Sequence, residues 1–377
     1  MNNLVSKVKC TSYNLDKVEN AIKLSLNQIG NIENVIKEDS KVLLKPNLVS
    51  PLPPEKAATT HPVVIEAMIR ILKGIGVKEI WIGDSGVHGT PKIFSICGMN
   101  DLAKKYGCKI CDFDNYYIDE IYEESNKYMK RLPLSKYITE SDVIINMPKI
   151  KIHHAETYTG AIKNMYGSIV GKNKMQIHAR TQTKDNFQHV LVDVLNSTKP
   201  NLCIMDAIVG MEGNGPANGK PIETNMILTS YNAVAMDIVA ARQIGIDVKE
   251  VGYIEKAIKR GLGPKVQEVK EIGDKLPVIT YDRPAVALKF LGRFAQKLMP
   301  VFYYLFKPVP KFDPIKCIEC GICKEICPVN AIRMEKIPVV DKKLCISCFC
   351  CQEACFSDAI ERSDVKKEKK KACKRGA

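Results

Sequence analysis

The feature that most constrains this chain is a cysteine pattern that occurs twice. Cys317-Ile-Glu-Cys320-Gly-Ile-Cys323-Lys-Glu-Ile-Cys327-Pro328 sets four thiols in a C-x2-C-x2-C-x3-C run, and adding 28 to each position yields Cys345, Cys348, Cys351 and Cys355. Ala331-Ile332 maps in the same way onto Ala359-Ile360, so the segment is an internal duplication. Of the 15 cysteines, nine fall between Cys317 and Cys355. Cys10, Cys97, Cys108, Cys111, Cys203 and Cys373 are scattered and read as small buried hydrophobes or incidental thiols. The chain reads as cytoplasmic, a compartment that keeps thiols reduced, so clustered cysteines signal metal rather than disulfides. Their spacing is not that of zinc fingers or ribbons. Cys108 and Cys111 form a C-x2-C pair on a short strand, without a second pair nearby to complete a site.

The duplicated run resembles two-cluster bacterial ferredoxins. That resemblance implies two [4Fe–4S] clusters with crossed ligation, because three closely spaced thiolates cap one cubane and the fourth cysteine reaches the other. It implies Cys317, Cys320, Cys323 and Cys355 on one cluster, and Cys345, Cys348, Cys351 and Cys327 on the other. Phe349 stands where the first half has Gly321, and Phe356 replaces the proline that usually follows the last cysteine. Both departures bear on packing or potential at the second cluster. Cys350 aligns with Ile322 and reads as packing, not as a ligand. Clusters of this type exchange one electron at a time, so a redox partner protein, such as a ferredoxin reductase or an oxidoreductase, is expected.

The rest of the chain is long enough for a large core, at 377 residues and 45% hydrophobic. The formal charge of +14 suggests nucleic acid at first. However, Lys366 to Arg375 alone holds seven basic residues against Glu368, and two clusters with their thiolates would remove roughly 4 further units. The body is therefore only mildly basic, and the run reads as a disordered basic tail over 364–377 rather than a nucleic-acid surface. The N-terminus lacks the apolar run of a secretory signal. The longest apolar run, Leu298–Phe306, has nine residues and contains Pro300, far short of the ~20 needed to span a bilayer, so membrane insertion is not expected.

Residues 1–285 alternate β-rich runs with amphipathic helical segments, which predicts a three-layer α/β domain with a largely parallel sheet. A connecting apolar segment over 286–310 and a small α+β ferredoxin-like domain over 311–363 follow. Val42-Leu43-Leu44 reads as a strand, and Pro62 opens a helix that exits at Gly74 and Gly76. Further strands are read over Lys78–Ile82, over Asp142–Asn146, and from Asn201 to an end at Asp206. In a parallel sheet, polar residues at strand ends share one edge, the edge at which open α/β folds bind ligands. This predicts that Lys45, Asn47, Asp84, Lys149 and Asp206 converge, although each taken singly could be a turn or cap residue.

Two stretches concentrate further chemistry. Pro148 to His154 and Thr159 to Gly167 supply Lys149, Lys151, Lys163, His153, His154 and Asn164. The lysines could bind a carboxylate or phosphate, and a histidine could deliver a proton with each electron. His61, His153, His154 and His178 are all read in or near polar turns. Gly210 to Pro221, containing Glu212 and Asn214, is too glycine-rich for a helix or strand and reads as a binding loop, yet it matches neither the dinucleotide nor the P-loop signature.

Lys45-Pro46-Asn47, Thr60-His61-Pro62, Gly83-Asp84, Pro148-Lys149 with His153, Lys163-Asn164 and Glu212-Gly213-Asn214-Gly215-Pro216 together resemble the family called domain of unknown function 362, over roughly residues 40–245. Its members often carry a fused ferredoxin module. The resemblance brings no general activity and implies only that these positions form one site. In the resulting reading, the chain is an iron–sulfur oxidoreductase passing electrons to or from a small anionic substrate. Lys163, His153 and Asp84 are the catalytic candidates, and Lys45, Asn47, His61, Lys149, Asn164, Asp206, Glu212 and Asn214 are the binding candidates. The alternatives are an electron carrier whose large domain docks partners, and a redox sensor or metallocentre-assembly factor.

Overall fold

Alternation along the strands dictates the layering of the larger part of the chain. The computed structural model describes residues 3–30, 32–86, 90–115, 118–171, 173–181, 183–283, 307–355 and 357–363. It divides into two units, Met1–Arg283 and Pro284–Ala377. The first runs β1 (Leu4–Lys9), α1 (Leu15–Ile29), β2 (Lys41–Pro46), α2 (Pro62–Ile75), β3 (Glu79–Asp84), α3 (Thr90–Ile96), α4 (Met99–Tyr106), β4 (Lys109–Asp112), β5 (Ile118–Tyr122) and β6 (Arg131–Ser135). It continues through α5 (Lys136–Glu140), β7 (Val143–Met147), β8 (Lys149–His153), β9 (Thr157–Thr159), α6 (Ala161–Asn164), α7 (Asn173–Thr181), α8 (Lys184–Thr198), β10 (Leu202–Glu212), β11 (Lys220–Ser230), α9 (Ala233–Gln243), α10 (Gly252–Lys259) and β12 (Lys270–Gly273).

The main sheet has the order β12-β1-β11-β10-β7-β2-β3-β4, with β8 and β9 attached beside β10. Neighbours from β10 through β7, β2 and β3 to β4 are parallel. The fold is therefore α/β with a largely parallel sheet. Successive side chains feed opposite faces: Val42, Leu44, Ile80, Ile82, Val143 and Ile145 enter a core shared with α1, α2 and α4. Leu43, Trp81 and Ile144 enter a second core, shared with α8, α9 and α10. Strands covered on both faces require the near-continuous apolar runs seen in this sequence.

Three sequence readings change in the structure. The strand read as ending at Asp206 continues to Glu212, with a register shift between Ala207 and Val209, because β11 pairs with it antiparallel along its length. Gly210, Met211 and Glu212 are consequently in a strand, and Lys220 and Pro221 begin the next, leaving a loop at 213–219. Gly210 suits this position because a Cβ there would collide with the Tyr281 ring. Lys149 to His153, read as a polar turn, forms the buried strand β8.

The second unit contains β13 (Pro310–Phe312), α11 (Ile322–Glu325), β14 (Ile332–Met334), β15 (Pro338–Val340), α12 (Cys350–Glu353) and β16 (Ile360–Arg362). Each element of the first half recurs 28 residues later, and left-handed residues recur with them: Glu319 with Ser347, Gly321 with Phe349, Asn330 with Asp358. β13 pairs with β16 and β14 with β15, so each two-stranded sheet takes one strand from each half. The sequence readings on Phe356, on the 364–377 tail and on most of the connecting segment lie outside the described residues.

Candidate functional site

Parallel pairing places the polar ends of β2, β3, β7 and β10 along one edge, and β8 extends that edge. Lys45 Nζ donates to Asp84 Oδ1 at 2.8 Å, and Asp84 Oδ2 accepts from the Leu48 amide at 2.8 Å. Lys149 and Asp206 face each other in the β8–β10 register and pair at 2.8 Å, with both side chains fully buried. Tyr13 closes this second pair: its hydroxyl accepts from Lys149 Nζ at 2.8 Å and donates to Asp206 Oδ1 at 2.9 Å. Isolated buried charges are very unfavourable, so each lysine is matched by a carboxylate brought from another strand.

Between the two pairs runs an amide network. Lys151 Nζ donates to Asn47 Oδ1 at 2.9 Å and to the Ala58 carbonyl at 2.6 Å. Asn47 Nδ2 donates to Asn164 Oδ1 at 3.0 Å, and Asn164 Nδ2 to Asn146 Oδ1 at 2.7 Å. Thr60 links the ends of β2 and β7, accepting from the Asn47 amide at 2.9 Å and donating to the Met147 carbonyl at 2.7 Å. The next residue, His61, donates its backbone amide to Asp206 Oδ2 at 2.9 Å. Hydrogen bonds thus join Asn47, Lys151, Asn164 and Asn146, while the Thr60-His61 segment reaches toward Asp206 and Lys149.

His61 is also the N-cap of α2. Its Nδ1 accepts from the Val63 amide at 3.2 Å, which leaves the ring proton on Nε2, and Pro62 occupies the first helical position. The ring stacks on Tyr13 with centroids 3.6 Å apart. Burial pushes the imidazole down to about 4, so His61 is neutral near pH 7 and presents an N–H donor. Burial also lowers Lys149, against the opposing pull of Asp206, and raises Tyr13.

Lys163 lies on the short α6 turn next to Asn164. It is half-buried and forms no ion pair among the described residues. Asp237 fastens that turn, accepting from the Ala161 amide at 2.6 Å and the Ile162 amide at 2.9 Å. Burial lifts Asp237 to about 7, while those amide bonds oppose the rise. Gly167 follows, and a Cβ there would run into Asp84 Oδ1 and Lys45 Nζ, so glycine lets the chain pass directly over the first ion pair.

The other candidates sit elsewhere. His153 ends β8, and its Nδ1 accepts from the Ala155 and Glu156 amides at 3.2 and 3.1 Å, shaping the turn. His154 Nδ1 contacts the Gly215 carbonyl at 3.0 Å. His178 is helical and stacks on Phe187, not in a polar turn. Glu212 accepts from the Asp282 amide at 2.8 Å, and Asn214 is exposed at the tip of the 213–219 loop. Sequence reasoning missed Tyr13, Asn146 and Asp237. Asn146 and Asp237 carried a signal, as polar residues inside apolar runs, but Tyr13 carried none, since its partner is 193 residues away.

In the second unit, two cavities are lined by separate sets of four cysteines. One set is Cys317, Cys320, Cys323 and Cys355, and the other is Cys327, Cys345, Cys348 and Cys351. Backbone amides of Ala331 and Ala359 point at Cys327 Sγ and Cys355 Sγ at 3.2 and 3.3 Å. Four soft thiolates with amide donors at sulfur, and neither histidine nor carboxylate in the lining, fit an iron–sulfur cluster. Cys350 is buried and lines neither cavity.

A profile of the family described as Domain of unknown function (DUF362) matches residues 42–242. The chain belongs to this family. Its matched segment contains the lysine, asparagine and aspartate network in full apart from Tyr13. A second profile, 4Fe-4S binding domain, matches residues 310–333, so the second unit carries a 4Fe–4S binding domain. The thylakoid-associated protein sll1697 of Synechocystis sp. is 29% identical over 267 residues, covering 70% of this chain and 82% of that protein. The lactate racemase apoprotein from Thermoanaerobacterium thermosaccharolyticum superposes with a TM-score of 0.43 and 12% identity over 66% of this chain and 57% of that one. Among the described residues, no helix is long and apolar enough to cross a membrane.

Proposed function

We propose that this family member is an iron–sulfur oxidoreductase that carries two [4Fe–4S] clusters and passes electrons to or from a small anionic substrate held by the α/β unit. The observation that supports two clusters is the pair of four-cysteine cavities, each drawing three thiols from one half of the duplication and one from the other. Such clusters supply one-electron transfer with little reorganisation. Cys327 and Cys355 are the crossing ligands in this reading.

For the substrate, support comes from the lysine-rich edge and from Lys163 in particular. Lys45 and Lys149 are already neutralised by Asp84 and Asp206. Lys163, with no ion pair among the described residues, is the cation we assign to an external carboxylate or phosphate, on a turn held in place by Asp237. His61, neutral with its proton on Nε2, offers a hydrogen bond rather than a positive charge. Lys149, lowered by burial, would be a proton source near that edge.

The test is ligand-induced stabilisation of the anaerobic full-length protein across a panel of small carboxylates and phosphates. The expected result is a ligand that raises the melting temperature of the wild type but not of Lys163→Met, with both cluster spectra intact in each. If no anion stabilises the wild type, the substrate reading is overturned. One observation favours the alternative of an electron carrier that only docks partners: the two buried lysine–aspartate pairs are internally satisfied, as in a purely structural network.

A further inference from the structure

The two iron–sulfur sites are built on one template, so their differences can be read position by position. Residues 28 apart line corresponding places in the two cavities, including all four cysteines. Among the described residues the paired lining differs at three places: Phe312 corresponds to Val340, both apolar, and the other two pairs change in chemical character. Gly321 in the first cavity corresponds to Phe349 in the second, and Ser357 to Val329. Both exchanges make the second cavity more apolar. In the first, the Ser357 hydroxyl lies 3.5 Å from Cys355 Sγ, a contact that Val329 cannot reproduce.

Phe349 is also in an unusual backbone state. Its φ is 59°, a left-handed conformation that costs a side-chain-bearing residue energy and that Gly321, at 77°, adopts freely. The ring is nonetheless 2% exposed, with the Arg362 guanidinium 4.5 Å from its centroid. The corresponding face of the first half is open: Cys320 is exposed and Ile318 is 57% exposed, whereas Ile346 and Cys348 are only partly so.

We infer that Phe349 is a plug that closes the second iron–sulfur site to solvent, making the two sites unequal, with the first the solvent-facing station. This rests on the two-cluster reading above. Its basis is steric and dielectric: an aromatic ring fills the space that glycine leaves open, and solvent access governs both the potential and the lability of such clusters.

Anaerobically purified full-length protein, containing about eight iron and eight sulfide per chain, would be exposed to air while its iron–sulfur absorbance is followed. The wild type is expected to bleach in two phases, a fast one for the first cluster and a slow one for the second. Phe349→Gly should speed the slow phase by about tenfold and leave the fast one unchanged, while Phe349→Leu, which keeps apolar bulk, should retain it. The reciprocal Gly321→Phe has room, since nothing lies within 4 Å of a Cβ at Gly321, although at φ 77° it incurs the left-handed strain that Phe349 already carries, and it should slow the fast phase. Reduction potentials give a second readout: Phe349→Gly should raise the potential of one cluster only, because water stabilises the more negative reduced state. Eight irons with one bleaching phase, unaltered by Phe349→Gly and by Gly321→Phe, would overturn the plug but leave the two clusters standing. About four irons per chain would remove the two-cluster reading and the plug with it.

Discussion

Replacing Asp206 with asparagine keeps the side-chain volume and deletes the counter-ion of a fully buried lysine. Asp206 accepts from Lys149 Nζ and the His61 amide through Oδ2, and from Tyr13 and the Ile208 amide through Oδ1. An asparagine NH2 facing the first pair of donors can accept from neither. Removing one member of a buried ion pair typically costs about 3–5 kcal/mol. The ceiling here is set by Lys149, which can escape by losing its proton. For a lysine of ordinary pKa at pH 7 that escape costs about 5 kcal/mol.

This mechanism fixes a pH dependence. Burial already holds Lys149 below its usual range, opposed by Asp206, and in Asp206→Asn the opposition is gone. The folded pKa then lies well below the unfolded one, so the unfolded chain binds more protons between the two values and stability rises with pH. The penalty relative to wild type should therefore shrink from pH 7 to pH 9, by at most about 1.4 kcal/mol per unit, since wild-type Lys149 is itself lowered and gains in the same way above its own folded pKa. Anaerobic urea unfolding reports this through Trp81, the single tryptophan, which is buried in a core of the first unit. A penalty below about 1 kcal/mol, or one equal at both pH values, would refute the buried-pair argument.

Tyr13→Phe should cost about 1–3 kcal/mol in the same assay, since it strips a hydroxyl that bonds Lys149 and Asp206 simultaneously, and a neutral result would show that the tyrosine is dispensable to the pair. His61→Asn keeps an N-cap acceptor but removes a group held down to about 4 by burial. Because the unfolded chain takes up that proton first on acidification, the wild type should lose roughly 2 kcal/mol more than His61→Asn between pH 7 and pH 5, and parallel profiles would contradict the assignment. Cys355→Ala should abolish the paramagnetic signal of the cluster held by Cys317, Cys320 and Cys323, while Cys327→Ala should abolish the other; loss of the signal from each cysteine's own half would reverse the ligand sets.

The legible parts of this protein are those whose chemistry is local or periodic. Apolar runs such as Val42–Leu44 and Val143–Ile145 announce strands covered on both faces, and Pro62 with Gly76 brackets a helix, because steric and capping rules act over a few residues. Cysteines repeated at an interval of 28 mark the two thiol runs, while the exchange of Cys327 and Cys355 between them is implied by the ferredoxin resemblance and is visible only in the folded cavities. The sequence likewise gathered Lys45, Asn47, Asp84, Lys149 and Asp206 at strand ends, from the rule that parallel strands share an edge.

What the tertiary structure alone decided is how those charges are held. Nothing local distinguishes a solvated lysine from one that is 0% exposed, so the burial of Lys45 and Lys149 depends on carboxylates delivered by other strands, and that of Lys151 on Asn47 and Ala58 from the segment after β2. Tyr13 reaches Asp206 across 193 residues, and Gly167 lies over the Lys45–Asp84 pair only because α6 is fastened by Asp237 from α9. β10 outruns its expected end at Asp206 because its partner β11 extends it, a decision made by pairing rather than by composition. Thiol spacing is written along the chain, whereas charge compensation is settled between segments that meet only once the sheet has closed.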